Sequence, residues 1–114
     1  MHTVLLVLQS EDFCLALQDV LKCRYRVISA KDAEEGEVLL QHQPDILLLD
    51  LFLPGTDGLT FLKQNKAQLP SSILLFATLA DPVILGTAFD LGVKTAFLKP
   101  CALSAVQKWL NDRA

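Results

Sequence analysis

Polar side chains capable of chemistry follow three of the short apolar runs in this sequence. Asp50 closes the run Ile46–Leu49, Thr78 follows the fourth such run, and Lys99 follows the fifth. If these runs are parallel strands, their carboxyl ends meet at one edge of a sheet, where ligands and substrates bind in open α/β folds. A carboxylate, a hydroxyl and an ammonium group are therefore expected to converge there.

Asp50 has two interpretations on these grounds. A buried carboxylate is costly unless it is paired, and Lys99 is the obvious partner, so the two residues could form a structural ion pair. Alternatively, Asp50 is a nucleophile that accepts a phosphoryl group, and Lys99 balances the added charge.

The elements that must position these residues alternate along the chain. Almost continuous apolar character predicts strands that are buried on both faces, as in parallel sheets covered by helices. The predicted strands are Thr3–Leu8, Tyr25–Ser29, Asp45–Asp50, Ser72–Ala77 and Thr95–Leu98.

Helix signals fill the gaps between the strands. Ser10 and Asp81 are good N-caps, Pro82 suits a first helical position, and Gly92 suits a helix end. In the second helix, Val38 and Leu39 are expected to face inward. The predicted helices are Ser10–Cys23, Asp32 to near His42, Leu59–Ala67, Asp81–Leu91 and Ala102–Asp112, with a loop at Leu51–Gly58.

This alternation predicts the α/β class, with a doubly wound five-stranded parallel sheet in a (βα)5 order. The 114 residues suffice for one domain. Hydrophobic residues make up 52% of the chain, which excludes disorder, and the net charge of −3 argues against direct nucleic-acid binding. We expect no contact with a membrane, because no apolar run approaches the length of a membrane span.

The three cysteines are an odd number without CxxC spacing. We expect Cys14, Cys23 and Cys101 to be buried or half-buried reduced thiols. This cysteine usage predicts a cytoplasmic protein.

The segment Asp50–Leu59, with the sequence DLFLPGTDGL, closely resembles the phosphoacceptor segment of two-component response regulator receiver domains. The preceding Pro44–Leu49, the Lys99-Pro100 pair and the Leu91-Gly92 helix end are also typical of that family. The resemblance covers essentially the whole chain. It implies one receiver domain over residues 1–114, with a flavodoxin/CheY-like sheet in the strand order 2-1-3-4-5.

The resemblance also implies a function in phosphorelay signal transduction. A receiver takes a phosphoryl group from a sensor histidine kinase or a phosphotransfer protein onto the Asp that is Asp50 here. Mg²⁺ would be held by an acidic pair after the first strand, by Asp50 and by the backbone carbonyl of Phe52. Thr78 and Lys99 would contact the phosphate. Such a domain is not an enzyme in its own right and has at most autophosphatase activity.

Two kinds of protein partner follow from the same resemblance. A second copy of the chain could pair through the surface formed by helix four, strand five and helix five. A C-terminal output domain could lie outside this chain.

The sequence departs from the family at the metal. The acidic pair should fall at Leu8 and Gln9, neither of which supplies a carboxylate, whereas Glu11 and Asp12 are typical of the first turn of a helix. Asp50 and one carbonyl make a poor Mg²⁺ site, because this ion favours carboxylate oxygens. We therefore expect Mg²⁺ to bind weakly or not at all.

The residues expected to respond to phosphorylation are also irregular. The family's spacing, counted back from Lys99, places the phosphate-contacting hydroxyl at Ala77. Counted forward from Asp50, the spacing fits Thr78. The difference matters because a shift of one residue moves a side chain to the other face of a strand. The aromatic residue that responds to phosphorylation in this family lies three positions before the Lys, and that position is Ala96 here. Phe97 comes one residue later, so it is expected to be a packing residue.

Two other functions remain open. The chain could be a phosphorylation-independent pseudo-receiver that acts as a protein-interaction module. A small aspartyl phosphatase is a third reading, but such enzymes usually carry a second acid two residues after the nucleophile, where this chain has Phe52.

Overall fold

The computed structural model describes residues 2–113, in which parallel strands alternate with helices. The alternation predicted from the apolar runs is confirmed, with boundaries that shift by up to three residues. The strands are β1 (Thr3–Val7), β2 (Arg26–Ala30), β3 (Ile46–Asp50), β4 (Ser72–Ala77) and β5 (Thr95–Leu98). The helices are α1 (Glu11–Leu21), α2 (Ala33–Leu39), α3 (Gly58–Gln64), α4 (Pro82–Asp90) and α5 (Leu103–Arg113).

The prediction of an irregular loop at Leu51–Gly58 was incomplete, because part of this segment forms a small antiparallel hairpin. Phe52–Leu53 pairs with Thr56–Asp57 around Gly55, which has a φ of 75°. The two strands are too short to show an alternating pattern in the sequence. Short 3₁₀ helices extend α2 and α3 at Leu40–His42 and Lys66–Gln68.

The five strands form one parallel sheet in the order β2-β1-β3-β4-β5. This order is the one expected, and its three inner strands, β1, β3 and β4, are almost entirely buried. The register pairs Val7 with Leu49, Asp50 with Phe76, and Phe76 with Phe97. The carboxyl ends of β3, β4 and β5 therefore lie side by side at one edge of the sheet.

Helices cover both faces of the sheet. On one face, α1 and α5 pack through Leu17, Leu21, Val106 and Leu110, which are fully buried. We call the whole cluster on this face, including the strand residues that pack in it, the α1/α5 layer. On the other face, the α2–α4 layer includes Phe61, Leu62 and Ala88.

The inward face of α2 differs from the prediction. Val38 is 57% exposed, whereas Leu40 at the following 3₁₀ turn is buried. Leu39 packs partly against the α2–α4 layer, as expected. The helix has only seven residues, so its apolar pattern is too short to fix a face.

Side-chain caps begin the helices where the sequence predicted them. Ser10 Oγ accepts from the Phe13 N–H at 3.2 Å, and Asp81 accepts from the Val83 N–H at 2.9 Å. Gly92 has a φ of 108°, which favours glycine and ends α4. The caps at Ser10 and Asp81 fix where the chain turns from the carboxyl ends of β1 and β4 into α1 and α4.

The cysteines are free thiols, with one correction to their expected burial. Cys14 is buried and Cys101 is partly buried, but Cys23 is exposed just after α1. Across residues 2–113, none of the helices has the length and apolar character that crossing a membrane would require.

Candidate functional site

Strand alternation aims the two principal site residues at the same face. Leu48 on β3 and Phe97 on β5 both pack in the α1/α5 layer. Asp50 and Lys99 each follow two residues later, so the period of two along a strand returns them to that face. Both lie where their strands end and the layer opens to solvent.

The structure brings Asp50 and Lys99 into direct contact. Asp50 is 3% exposed, and its Oδ1 lies 2.7 Å from Lys99 Nζ. Its Oδ2 accepts from the Gln9 N–H at 2.6 Å. Both carboxylate oxygens therefore have charged or polar partners, which offsets the cost of removing the charge from water.

Thr78 lies beside this pair. It follows β4 directly, is exposed, and lines a cavity of about 30 Å³ together with Asp50, Phe52 and Lys99. Ala77 lines the same cavity but packs in the α2–α4 layer, whereas Phe76 packs in the α1/α5 layer. Alternation thus gives Thr78, and not Ala77, the face of Asp50.

The positions expected to hold an acidic pair contribute differently. Leu8 is 3% exposed and belongs to the α1/α5 layer. Gln9 has an exposed side chain, and its main-chain N–H meets Asp50. Glu11 is exposed in the first turn of α1 and lines a different cavity, which Gln18 also lines.

The oxygen donors for a metal ion near Asp50 are accordingly few. Within residues 2–113, no group of three or more His, Cys, Asp or Glu residues is arranged to hold one. The expected ligands are the carboxylate of Asp50, which the Lys99 ammonium already contacts, and the carbonyl of Phe52, a residue that lines the same cavity. Both donors are hard oxygens of the kind that Mg²⁺ binds, but only one of them is a carboxylate, and Lys99 already contacts it.

Glycine at position 58 permits the backbone turn under the site. A Cβ atom there would lie 2.6 Å from the main-chain oxygen of Asp50. The neighbouring Asp57 accepts from the Thr60 N–H at 2.8 Å and caps α3. Asp57 therefore serves as the N-cap of α3.

The prediction of the site missed an aromatic contact of Lys99. Lys99 Nζ lies 4.8 Å from the centroid of the Phe13 ring and 5.8 Å from that of Phe76. Phe13 lies within the predicted helix Ser10–Cys23, where it recurs at helical spacing with Leu17 and Leu21. Its helical spacing indicates an inward face, but nothing in the sequence indicates a lysine from the far end of the chain above its ring.

Other residues at this edge complete the surroundings. Phe97 is partly buried and packs edge-on to Phe76, with 6.4 Å between ring centroids, as expected for a packing residue. Ala96 packs in the α2–α4 layer. Burial raises the pKa of the Cys101 thiol above its ordinary value, and the positive charge of Lys99 partly opposes this effect.

Comparisons of sequence identify the relatives of this chain. The family model of the response regulator receiver domain matches residues 4–111. The chemotaxis protein CheY of Bacillus subtilis is 28% identical over 96% of this chain and 98% of its own length. A probable C4-dicarboxylate response regulator of Halalkalibacterium halodurans is 39% identical over 69% of this chain.

Several curated relatives are much longer than the matched region. The match covers 35% of the C4-dicarboxylate regulator. It covers 15% of a protein-glutamate methylesterase/protein-glutamine glutaminase of Nitratidesulfovibrio vulgaris, which is 41% identical over 54 residues.

Solved structures have the same fold. A CheY-like receiver domain protein from Methanospirillum hungatei superposes with a TM-score of 0.91 at 17% identity, over 99% of this chain and 93% of the other. The N-terminal domain of a Wolinella succinogenes protein gives a TM-score of 0.88 at 27% identity, over 98% and 93% of the two chains. Because the family model spans nearly the whole chain, this chain belongs to the response regulator receiver domain family of two-component systems.

Proposed function

We propose that residues 1–114 form one receiver domain that accepts a phosphoryl group on Asp50 from a sensor histidine kinase or a phosphotransfer protein. The observation that carries this proposal is the 2.7 Å contact between Asp50 and Lys99 at the carboxyl edge of the sheet. A carboxylate oxygen of Asp50 forms the bond to phosphorus as the bond from phosphorus to the donor breaks. Lys99 then balances the charge that the phosphoryl group brings.

Thr78 is the proposed hydroxyl contact of the phosphoryl group. Its support is its place beside Asp50 and Lys99 in the lining of one small cavity. We propose no enzymatic activity beyond slow autophosphatase activity. Free cysteines support a cytoplasmic location.

Magnesium is proposed to bind this site weakly. A single carboxylate that already contacts an ammonium group is a poor substitute for the three that Asp50 and an acidic pair would supply together. A titration with Mg²⁺, followed through chemical shifts near Asp50, should not approach saturation at low millimolar concentration. Saturation in that range would contradict the weak site.

Phosphorylation is tested by mass spectrometry after incubation with acetyl phosphate, with and without Mg²⁺. One phosphoryl group should appear on the wild-type chain and be absent from Asp50→Asn. Asp57→Asn is the matched control, because asparagine also caps a helix well and the variant should still be phosphorylated. The reaction should be slow and change little with Mg²⁺. Equal labelling of Asp50→Asn and the wild type would reject Asp50 as the acceptor.

A phosphorylation-independent pseudo-receiver is the second candidate. The engagement of both Asp50 oxygens, by Lys99 and by the Gln9 N–H, favours it, since the resting site is balanced without a phosphoryl group. In that case Asp50→Asn should bind partners like the wild type, whereas a large loss of signalling would support phosphotransfer.

Association of two copies through α4, β5 and α5 is the proposed mode of assembly. Its support is a set of exposed apolar residues in or next to α4 and β5. We call Leu79 (70% exposed), Val83 (77%) and Leu98 (47%) the α4–β5 patch. An output domain outside this chain is a further proposed partner, and we propose no membrane or direct nucleic-acid contact.

A further inference from the structure

The Lys99 ammonium has aromatic neighbours as well as a carboxylate. Phe13 and Phe76 both place their ring centroids within about 6 Å of Nζ, the reach of a cation–π interaction. The two rings meet edge to face, with 5.1 Å between centroids and an interplanar angle of 89°. Lys99 therefore lies between Asp50 on one side and a fixed aromatic pair on the other.

Phe13 is held in place from two directions. Its main-chain N–H donates to Ser10 Oγ at 3.2 Å, so the N-cap of α1 fixes its backbone. Its ring packs against Phe76, which is 1% exposed and lies on β4 next to β3. A lysine side chain has a flexible four-carbon stem, so a rigid ring beneath the ammonium restricts where it can reach.

This restriction matters because of the composition of the site. Among the residues that line the cavity at Asp50, Lys99 is the only cation. Once the carboxylate becomes a mixed anhydride with the phosphoryl group, the original ion pair is replaced by contact with phosphoryl oxygens, and the ammonium must move to follow them. The ring face of Phe13 is unchanged by that reaction.

We propose that Phe13 is a positioning residue for Lys99, holding the ammonium at the edge of the Asp50 cavity in the resting protein and during phosphoryl transfer. The part that concerns transfer rests on the proposed function. The part that concerns the resting protein does not.

The test compares two substitutions at one position. Phe13→Leu keeps an apolar side chain but removes the ring face, whereas Phe13→Tyr keeps the face. Phe97→Leu is the matched control, because Phe97 is another half-buried aromatic residue that packs against Phe76 in the same layer. Thermal unfolding of each variant establishes that it is folded.

Two measurements separate the parts of the proposal. The first is the NMR order parameter of the Lys99 ε-methylene group in the unphosphorylated protein. We expect Phe13→Leu to lower it, while Phe13→Tyr and Phe97→Leu leave it close to wild type. The second is the maximal rate of Asp50 phosphorylation at saturating acetyl phosphate. We expect Phe13→Leu to lower that rate by about two- to tenfold, as the loss of one cation–π contact implies, and the other two variants to stay within about twofold.

The outcomes have distinct meanings. An unchanged order parameter in Phe13→Leu overturns the proposal, and so does an equal fall in Phe97→Leu, because any loss of aromatic packing would then suffice. A wild-type chain that takes no phosphoryl group defeats the proposed function, but the order parameter still decides whether Phe13 positions Lys99. If Phe13→Leu unfolds, Phe13→Met provides the same comparison with a more adaptable side chain.

Discussion

At the residue scale, the lining of the candidate site combines one buried carboxylate with one lysine. Asp50 and Lys99 carry opposite charges at 2.7 Å, so the resting pair is neutral without any further ion. Receivers with an acidic pair would carry additional negative charge at this edge. Leu8 and Gln9 remove that charge, and Leu8 adds apolar packing instead. Fewer carboxylates are therefore available at this edge to bind a divalent cation.

A single atom at position 58 is expected to disturb this site. In Gly58→Ala the added Cβ would meet the main-chain oxygen of Asp50 at 2.6 Å, so the backbone beside Asp50 must shift. We expect a loss of about 1–3 kcal/mol in the free energy of unfolding, typical of overpacking. Urea unfolding provides the measurement.

Gly86→Ala is the matched control for this change. Gly86 lies inside α4, and an added Cβ would meet nothing within 4 Å. Alanine favours a helix over glycine by about 1 kcal/mol, so this variant should gain stability. Equal effects of the two substitutions would show that the close approach at Gly58 is unimportant.

At the scale of elements, the sequence was informative where patterns are long. The apolar runs predicted all five sheet strands, and parallel pairing then implied that Asp50 and Lys99 converge. The hairpin at 52–57 was missed because two-residue strands carry no periodicity. The sequence could not show which face Thr78 occupies. The spacing counted from Asp50 and the spacing counted from Lys99 differ by one residue, and only the register of β4 with β3 and β5 decides between them.

The contact of Phe13 with Lys99 was beyond sequence reasoning for a related cause. It depends on the angle at which α1 crosses the sheet, which is a result of packing in the α1/α5 layer. Apolar spacing shows that Phe13 faces inward, but it does not show which side chain from β5 lies above the ring.

The junction between β2 and α5 gives a prediction about pH. Tyr25 is 3% exposed and its hydroxyl donates to Asn111 Oδ1 at 2.9 Å. Burial raises the pKa of Tyr25 above its ordinary value, and the charge of Arg24 opposes this effect. Above pH 10 or so, the unfolded chain therefore loses this proton more readily than the folded one, and stability falls as pH rises.

Tyr25→Phe isolates this contribution. The variant should be less stable near neutral pH by about 1 kcal/mol, because the hydrogen bond to Asn111 is lost. Its stability should then decline less steeply than that of the wild type between neutral pH and about pH 11. Denaturant unfolding across that range measures both effects. Parallel declines in the two proteins would mean that Tyr25 does not contribute to the alkaline loss.

At the scale of the whole molecule, the candidate site adjoins the exposed apolar residues of the α4–β5 patch along the chain. Asp50 ends β3, and Lys99 directly follows Leu98, which is a residue of the α4–β5 patch. Thr78 and Leu79 are consecutive, so the chain passes directly from the cavity at Asp50 to the patch. A displacement of Thr78 or Lys99 at the cavity is therefore one peptide bond away from the surface proposed for assembly.

Assembly through this patch is expected to depend on its apolar character. Val83→Asp places a charge at the most exposed of the three patch residues. Burying that unpaired charge between two copies would be costly. The variant should shift the monomer–dimer equilibrium toward monomer by about tenfold or more, measured by sedimentation velocity over a range of concentrations. Val38→Asp is the matched control, because Val38 is an exposed valine (57%) on α2, away from the patch, and should leave the equilibrium unchanged. A wild-type chain that stays monomeric at all concentrations, or a control that dissociates equally, would exclude the α4–β5 patch as the contact between copies.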